Sequence, residues 1–265
     1  MRIENLKSDI NSYLESSPLN SVEELAIDKI FTDPLLAIAD AGDLLFEKMK
    51  DPSIIGEHFL LPEDWLPGAK SVISYFIPFS EQVRSANRKQ GVPAKEWVYG
   101  RYEGEQFNES LRQFVVEYIN STGEGKALAP MLDSRFQIIE RLSSNWSERH
   151  AAYIAGLGTF SLSRSLITPK GCAGRYGSII TTLILPVTAR SYNGLYEHCN
   201  FCGECINRCP VKAISNPRKD KIAGMDKAVC ADYSRNVIFP RFRPRHGCGK
   251  CQTAVPCEDR IPDII

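Results

Sequence analysis

"HCNFCGECINRCP", residues 198–210, carries Cys199, Cys202, Cys205 and Cys209 and closes on Pro210. The spacing C-x2-C-x2-C-x3-C-P matches the bacterial ferredoxin run, in which three cysteines wrap one 4Fe-4S cluster and the fourth reaches to a second. That rule asks for four more thiols, and Cys230, Cys248, Cys251 and Cys257 supply them. By the crossover logic Cys199, Cys202, Cys205 and Cys257 hold one cluster, while Cys209, Cys230, Cys248 and Cys251 hold the other. Pairs of C-x2-C also suit tetrahedral zinc, but three thiolates in one tight series of turns wrap a cubane better than a single ion.

The remaining cysteines and the charges fit this reading. The chain has 265 residues and nine cysteines, with none before Cys172 and eight between Cys199 and Cys257, a distribution unsuited to an exported disulfide scaffold. Cys172 is required by neither cluster; it is a buried small residue, a thiol near a cofactor pocket or a nucleophile. From Cys199 onward there are 12 Lys+Arg against 7 Asp+Glu, an excess of +5 in a chain whose net charge is zero. Two thiolate-ligated clusters, each about −2, offset most of that excess. Arg241, Arg243 and Arg245 in "RFRPRHG" are an alternative docking patch for an acidic redox partner. His198 and His246 flank the cysteine groups as neighbours rather than ligands.

The N-terminal residues show neither a signal-peptide core nor a twin-arginine pair, and no stretch reaches the length of a membrane span. The expectation is a cytoplasmic protein without membrane association.

Ahead of Cys199 the pattern is mixed. Residues 2–17, 33–50 and 104–123 have helical apolar spacing, and residues 69–79, "AKSVISYFIPF", form a buried strand. Residues 80–97 are expected to be a polar connection, and residues 126–134 a short strand delivering Asp133. "SERHAAYIAGLG", 147–158, is expected to be a helix with a glycine stop, and Ile179 to Leu185 a central strand. The G-L-G there follows a helix instead of opening one, so it is no dinucleotide fingerprint, and the phosphate loop G-x-x-x-x-G-K-[ST] is missing. Arg149, His150 and Tyr153 on that helix, and Arg175 and Tyr176 between glycines, either contact a cofactor or substrate or serve packing and solvation. The same choice applies to Tyr99 and Tyr102.

The succession "PMLDS", "ERHAAYIAGLGTF", "LITPKGCAGRYGSIITTLILP" and the cysteine run with its late C-x2-C resembles the epoxyqueuosine reductase family, corrinoid-dependent iron-sulfur enzymes related to reductive dehalogenases. The similarity spans roughly residues 97 to 257. It implies an α+β protein: a nitroreductase-like α/β body, residues 1–190, followed by a ferredoxin-like domain with two 4Fe-4S clusters, residues 191–265. It further implies cobalamin in place of flavin, with FMN the less favoured cofactor, and Asp133 of the "DS" pair as the acid that protonates the substrate. His150, Tyr153, Arg175 and Tyr176 are the corresponding cofactor-binding candidates.

The departures point to a different substrate. The family's helical-repeat tail is not seen after Cys257, which argues against tRNA. "RFQIIERLSSNWS" is an added stretch, "TFSLS" replaces an aromatic-x-Gly-Lys sequence, and Asn108 stands where a histidine is expected. The leading expectation is an oxidoreductase that takes electrons from a ferredoxin or flavodoxin and reduces a small molecule through cobalamin. The alternative is an activator that reduces the cofactor of a partner, such as a corrinoid protein. Nitroreductase-like bodies often form homodimers.

Overall fold

The "SVISYFIP" run lies at the centre of the fold. In a computed structural model that describes residues 3–139, 143–215 and 224–263, every residue of the strand it forms is buried. The elements follow in chain order as α1 (Ile3–Ser16), β1 (Leu35–Asp40), α2 (Leu44–Lys48), α3 (Pro62–Trp65), β2 (Ser71–Pro78), α4 (Glu81–Ala86), α5 (Lys95–Ser121) and β3 (Ala127–Leu128). A small hairpin, β4 (Ile138–Ile139) and β5 (Ser143–Ser144), precedes α6 (Glu148–Ala155), β6 (Thr159–Phe160), β7 (Leu166–Ile167) and β8 (Gly174–Thr181). The cysteine-rich part adds α7 (Glu204–Arg208), β9 (Ile214–Ser215), β10 (Gly224–Met225), α8 (Lys227–Tyr233) and α9 (Phe239–Phe242).

The main sheet has the order β1-β2-β8-β3 and its pairs are antiparallel. Alternation along a strand sends successive side chains to opposite faces. Ile73, Tyr75 and Ile77 therefore join Phe107, Leu111, Val115 and Ile119 of α5, together with α1. Val72 and Phe76 face the other way, toward Ala151, Ala152 and Ile154 of α6 and toward Trp146. Helices cover both faces, which explains why β2 reads as an unbroken apolar run. Trp146 stacks on Phe59 and Phe46 at ring-centroid distances of 5.5 and 5.9 Å and meets Trp65 edge-on at 6.4 Å.

Several sequence expectations are corrected. Within 33–50 the run "LLAIAD" is the strand β1, because it pairs with β2 along six residues. Only α2 remains helical there, started by the Asp43 carboxylate accepting from Leu45 N. Residues 80–97 are not a plain connection: they hold α4, which Ser80 caps by accepting from Val83 N. Helix α5 begins at Lys95, nine residues earlier than the spacing suggested, and buries Trp97 and Val98 in the added turns. The strand expected over 126–134 shrinks to β3 before a 3-10 turn at Pro130–Leu132. Strand β8 runs Gly174–Thr181, shifted toward the N-terminus of the expected Ile179 to Leu185. The 147–158 helix stands as read, stopped at Gly156 with φ of 98°.

The cysteine-rich part packs directly on the body. The loop carrying Cys248 and Cys251 approaches so closely that a Cβ on Gly249 would lie 1.9 Å from the Trp97 ring, and Gly249 itself has φ of +64°. Gly249→Ala is expected to lower stability by about 1–3 kcal/mol through overpacking, with added backbone strain. Gly91→Ala, also at positive φ but with nothing within 4 Å, should cost less. Denaturant midpoints of the two variants, measured anaerobically, check the difference.

Candidate functional site

The cysteines gather in one small core. Cys205 and Cys209 are buried with Leu162, Ala213, Ile214 and Val255, and Cys199, Cys230, Cys251 and Cys257 pack against that group. Helix α7 places Cys205 one residue after its start, and Ala213 N donates to Cys209 Sγ at 3.3 Å. Electrostatics couples the thiols to one another. Burial, and after it the charges of Cys257, Cys199 and Cys202, push the Cys205 thiol up to about 12. Burial and then Cys230 and Cys209 raise Cys248 to about 11. Cys251, also raised chiefly by burial, feels Cys248, Cys205, Cys230 and Cys209. All nine cysteines are free thiols. Among the described residues no three His, Cys, Asp or Glu side chains close on one point as a single-ion site requires. Cys172 is fully buried with its Sγ 3.9 Å from Cys257 Sγ.

Beside this core a cavity of about 730 Å³ opens to solvent between the two parts of the chain. One wall is α5, with Arg101, Tyr102, Glu105 and Arg112. The added stretch 135–147 supplies the opposite wall: Phe136, Ile138, Ser143 and Ser144 belong to the β4-β5 hairpin and its approach, and residues 140–142 lie outside the described residues. Asn145 holds this segment by donating to Arg135 O at 2.8 Å and accepting from Gln137 N at 2.9 Å. The floor is Trp146 and the first residues of α6 and β8, and the cysteine-rich part contributes His246 and Gln252.

Arg175 and Tyr176 line the cavity as expected, and so do Arg149 and Tyr102. His150 and Tyr153 are not among its lining residues. His150 is tilted against Phe160 at 5.0 Å and shares a 2.7 Å hydrogen bond with Ser147 Oγ. Burial, reinforced by Arg149, pulls its imidazole down to about 4. Tyr153 packs between Phe160 and Tyr192. Asp133 also lies outside the cavity lining. Its two oxygens accept from Arg135 Nε and Nη2, each at 2.9 Å, and hydrogen bonding to that guanidinium holds the carboxyl below its usual range. Tyr99 is a packing residue under Arg245, whose guanidinium lies 3.6 Å from the ring centroid. Arg245 also pairs with Glu103, whereas Arg241 and Arg243 stay exposed.

Sequence reasoning missed the carboxylate and cations at the cavity floor. Arg112 is 1% exposed and sits on the buried face of α5 beside Leu111, a charge in a core register that was visible in the pattern. Its Nη1 lies 3.0 Å from Glu105 Oε1 and its Nε 3.3 Å from Glu148 Oε1. Glu105 Oε2 in turn lies 3.3 Å from Arg175 Nε. Ser178 Oγ donates to Glu148 Oε2 and accepts from Trp146 Nε1. Burial outweighs Arg112 and Ser178 and lifts the Glu148 carboxyl to about 7. Asn108, in place of the expected histidine, is buried away from the cavity. It accepts from Tyr75 Oη at 2.7 Å and donates to Tyr176 O at 3.0 Å, tying α5 to the sheet.

Comparison with known proteins agrees with this arrangement. Residues 195–215 match a 4Fe-4S binding domain family. The epoxyqueuosine reductase of Bacillus subtilis (strain 168) is 22% identical over 97% of this chain and 64% of its own length. The chain is similar, at a distance, to the epoxyqueuosine reductases. It spans less than two thirds of that relative. An epoxyqueuosine reductase solved with an epoxyqueuosine-modified tRNA-Tyr stem loop superposes with a TM-score of 0.52 at 17% identity, covering 97% of this chain and 66% of the other. A reductive dehalogenase whose structure suggests a B12-dependent mechanism superposes with a TM-score of 0.54 at 18% identity, over 86% of this chain and 30% of the other. The expectation against tRNA draws no support from these relatives. Among the described residues no helix is long and apolar enough to cross a membrane.

Glu148 makes stability pH-dependent. Its folded value, about 7, lies above its ordinary value of 4.5, so the native state binds more protons between the two and stability falls as pH rises through that window. His150, depressed by burial, acts in the opposite sense as pH falls. Comparing wild type with Glu148→Gln cancels the histidine: the difference in unfolding free energy between the two is expected to shift in favour of Glu148→Gln from pH 4.5 to pH 7 and to level off above.

Proposed function

We propose that this protein is an iron-sulfur oxidoreductase in which two 4Fe-4S clusters in a ferredoxin-like part, from about residue 191, carry electrons to a centre in the cavity of a nitroreductase-like body. What supports this reading is the gathering of Cys199, Cys205, Cys209, Cys230, Cys251 and Cys257 in one core, with both parts of the chain lining the cavity. Cys199, Cys202, Cys205 and Cys257 suit one cluster, and Cys209, Cys230, Cys248 and Cys251 the other. The Ala213 amide on Cys209 Sγ is the type of hydrogen bond that sets a cluster's potential.

A corrinoid is the favoured acceptor, on the kinship to B12-dependent dehalogenases and epoxyqueuosine reductases. The cavity volume lies within the range of cofactor and ligand pockets, about 300–1,000 Å³. Tyr102, Arg175, Tyr176 and His246 line that cavity and would hold the group. When bound, a corrinoid supplies a low-valent cobalt centre that reduces the substrate. The chain's own contribution would be an aromatic floor at Trp146, guanidinium groups that orient the ligand, and an acid to deliver protons. Asp133, the acid implied by the resemblance, would have to leave Arg135 to reach the cavity. A small organic molecule is the proposed substrate class, and a ferredoxin or flavodoxin the electron donor.

Anaerobically purified protein is expected to contain about eight irons per chain, falling toward about four in Cys202→Ser, and to give a cobalamin spectrum on titration. About eight irons with FMN bound instead would replace the corrinoid, and binding of neither would assign the protein to reduction of a partner's cofactor. Unchanged iron in Cys202→Ser would refute the ligand set.

A further inference from the structure

Four arginines, Arg101, Arg112, Arg149 and Arg175, line the cavity with three carboxylates, Glu105, Glu109 and Glu148, and the arginines are not equally compensated. Glu105 bridges Arg112 and Arg175, and Glu148 faces Arg112. Arg101 and Arg149 have no carboxylate partner among the described residues; Arg101 Nη1 donates to His246 O at 3.0 Å and Arg149 Nη1 to Arg164 O at 3.3 Å. Burial and the adjacent Arg175 pull the Arg101 guanidinium down to about 9, against the opposing charge of Glu105. Next to these cations the wall is apolar, with Phe136, Ile138 and Trp146.

We propose that the cavity binds an organic anion, a carboxylate carried on an apolar body, at Arg101 and Arg149, and that Glu148 takes up one proton as the anion enters. The inference rests on the cavity being the site of reduction and names the class of its substrate. The bookkeeping is one of protons alone: the anion enters unprotonated, and a proton from solvent forms the O–H bond of the Glu148 carboxylic acid. Glu148 is surrounded by groups that make this uptake responsive. From α5 it faces Arg112 and Glu105, from β8 Ser178 and from β2 the Tyr75 phenol, and Arg149 follows it on its own helix. The strands and helix behind α6 present Ala37, Ala39 and Phe46, which carry no charge. A second negative charge in this enclosure raises the proton affinity of Glu148, and by linkage protonation of Glu148 strengthens anion binding. The carboxyl already titrates near 7 in the free protein, so the coupling operates at neutral pH.

Calorimetry on the anaerobically purified full chain tests this with benzoate and inorganic phosphate as probes, in buffers of different ionisation heat. Benzoate is expected to bind about tenfold more tightly at pH near 6.5 than at pH near 8.5, with up to one proton taken up in the higher range. Glu148→Gln should bind benzoate without proton uptake and without pH dependence, and Arg149→Gln should lose about tenfold or more in affinity. In wild type, Trp146 reports on Glu148 through Ser178, so the fluorescence titration near neutrality should move to higher pH with benzoate present. No benzoate binding, unchanged proton uptake in Glu148→Gln, or phosphate binding as tightly as benzoate would overturn the inference. A chain with about eight irons and no benzoate site would refute this inference alone. One that binds benzoate with Glu148-dependent uptake but holds no iron would refute the oxidoreductase reading and leave the anion site standing.

Discussion

Asn87 joins the two parts of the molecule. Its side chain is fully buried, donating to Cys248 O at 3.2 Å and Thr253 Oγ1 at 3.1 Å while accepting from Ala94 N at 3.0 Å. Its carbonyl oxygen accepts from Arg208 Nη2 at 3.1 Å, Lys250 Nζ at 3.0 Å and Thr253 Oγ1 at 3.2 Å. A buried polar group is costly unless it is hydrogen-bonded, so six satisfied contacts at one residue specify a single docking arrangement. Arg84 and Arg88 extend the join through Glu258, which is almost wholly buried. Everything on the cavity side follows from this docking, because it fixes where the cysteine loop meets α5 and β8.

The basic excess of the C-terminal part takes on a more specific meaning in this light. Arg208 and Lys250 are buried; Lys250 donates to Asn87 O and Lys89 O of the body, Arg208 divides between Asn87 O of the body and Thr253 O of its own part, and Arg245 is held between Glu103 and Tyr99. These positive charges serve the join between the parts, in addition to any offset of cluster charge. Of the arginines in "RFRPRHG", Arg241 and Arg243 are the exposed ones.

What could be read from the sequence followed from how local the signal was. The cysteine spacing is a property of one short segment, and the helix stopped by Gly156 depends on its own turn geometry. The β1 strand was misread because "LLAIAD" has apolar residues compatible with either period, and pairing with β2, a contact over 30 residues away, decides the matter. The cavity floor was hidden for the same reason. Glu148 looks like an ordinary first-turn acid, and only the fold brings it against Arg112 and Ser178 from two other elements. Asp133, identified by resemblance, lies in an ion pair with Arg135, two residues further along the chain, which a motif alone does not reveal.

His246 and Gln252 stand in the cavity wall on either side of Cys248 and Cys251. If those two cysteines grip a cluster, the loop between Cys248 and Gln252 is held by the metal as well as by Asn87, and loses part of its support when the metal goes. Oxidative loss of that cluster would then loosen a wall of the ligand site and take away the electrons. A damaged molecule would release its ligand sooner than hold it unreacted, so ligand-filled molecules would be chiefly those equipped to act on what they hold.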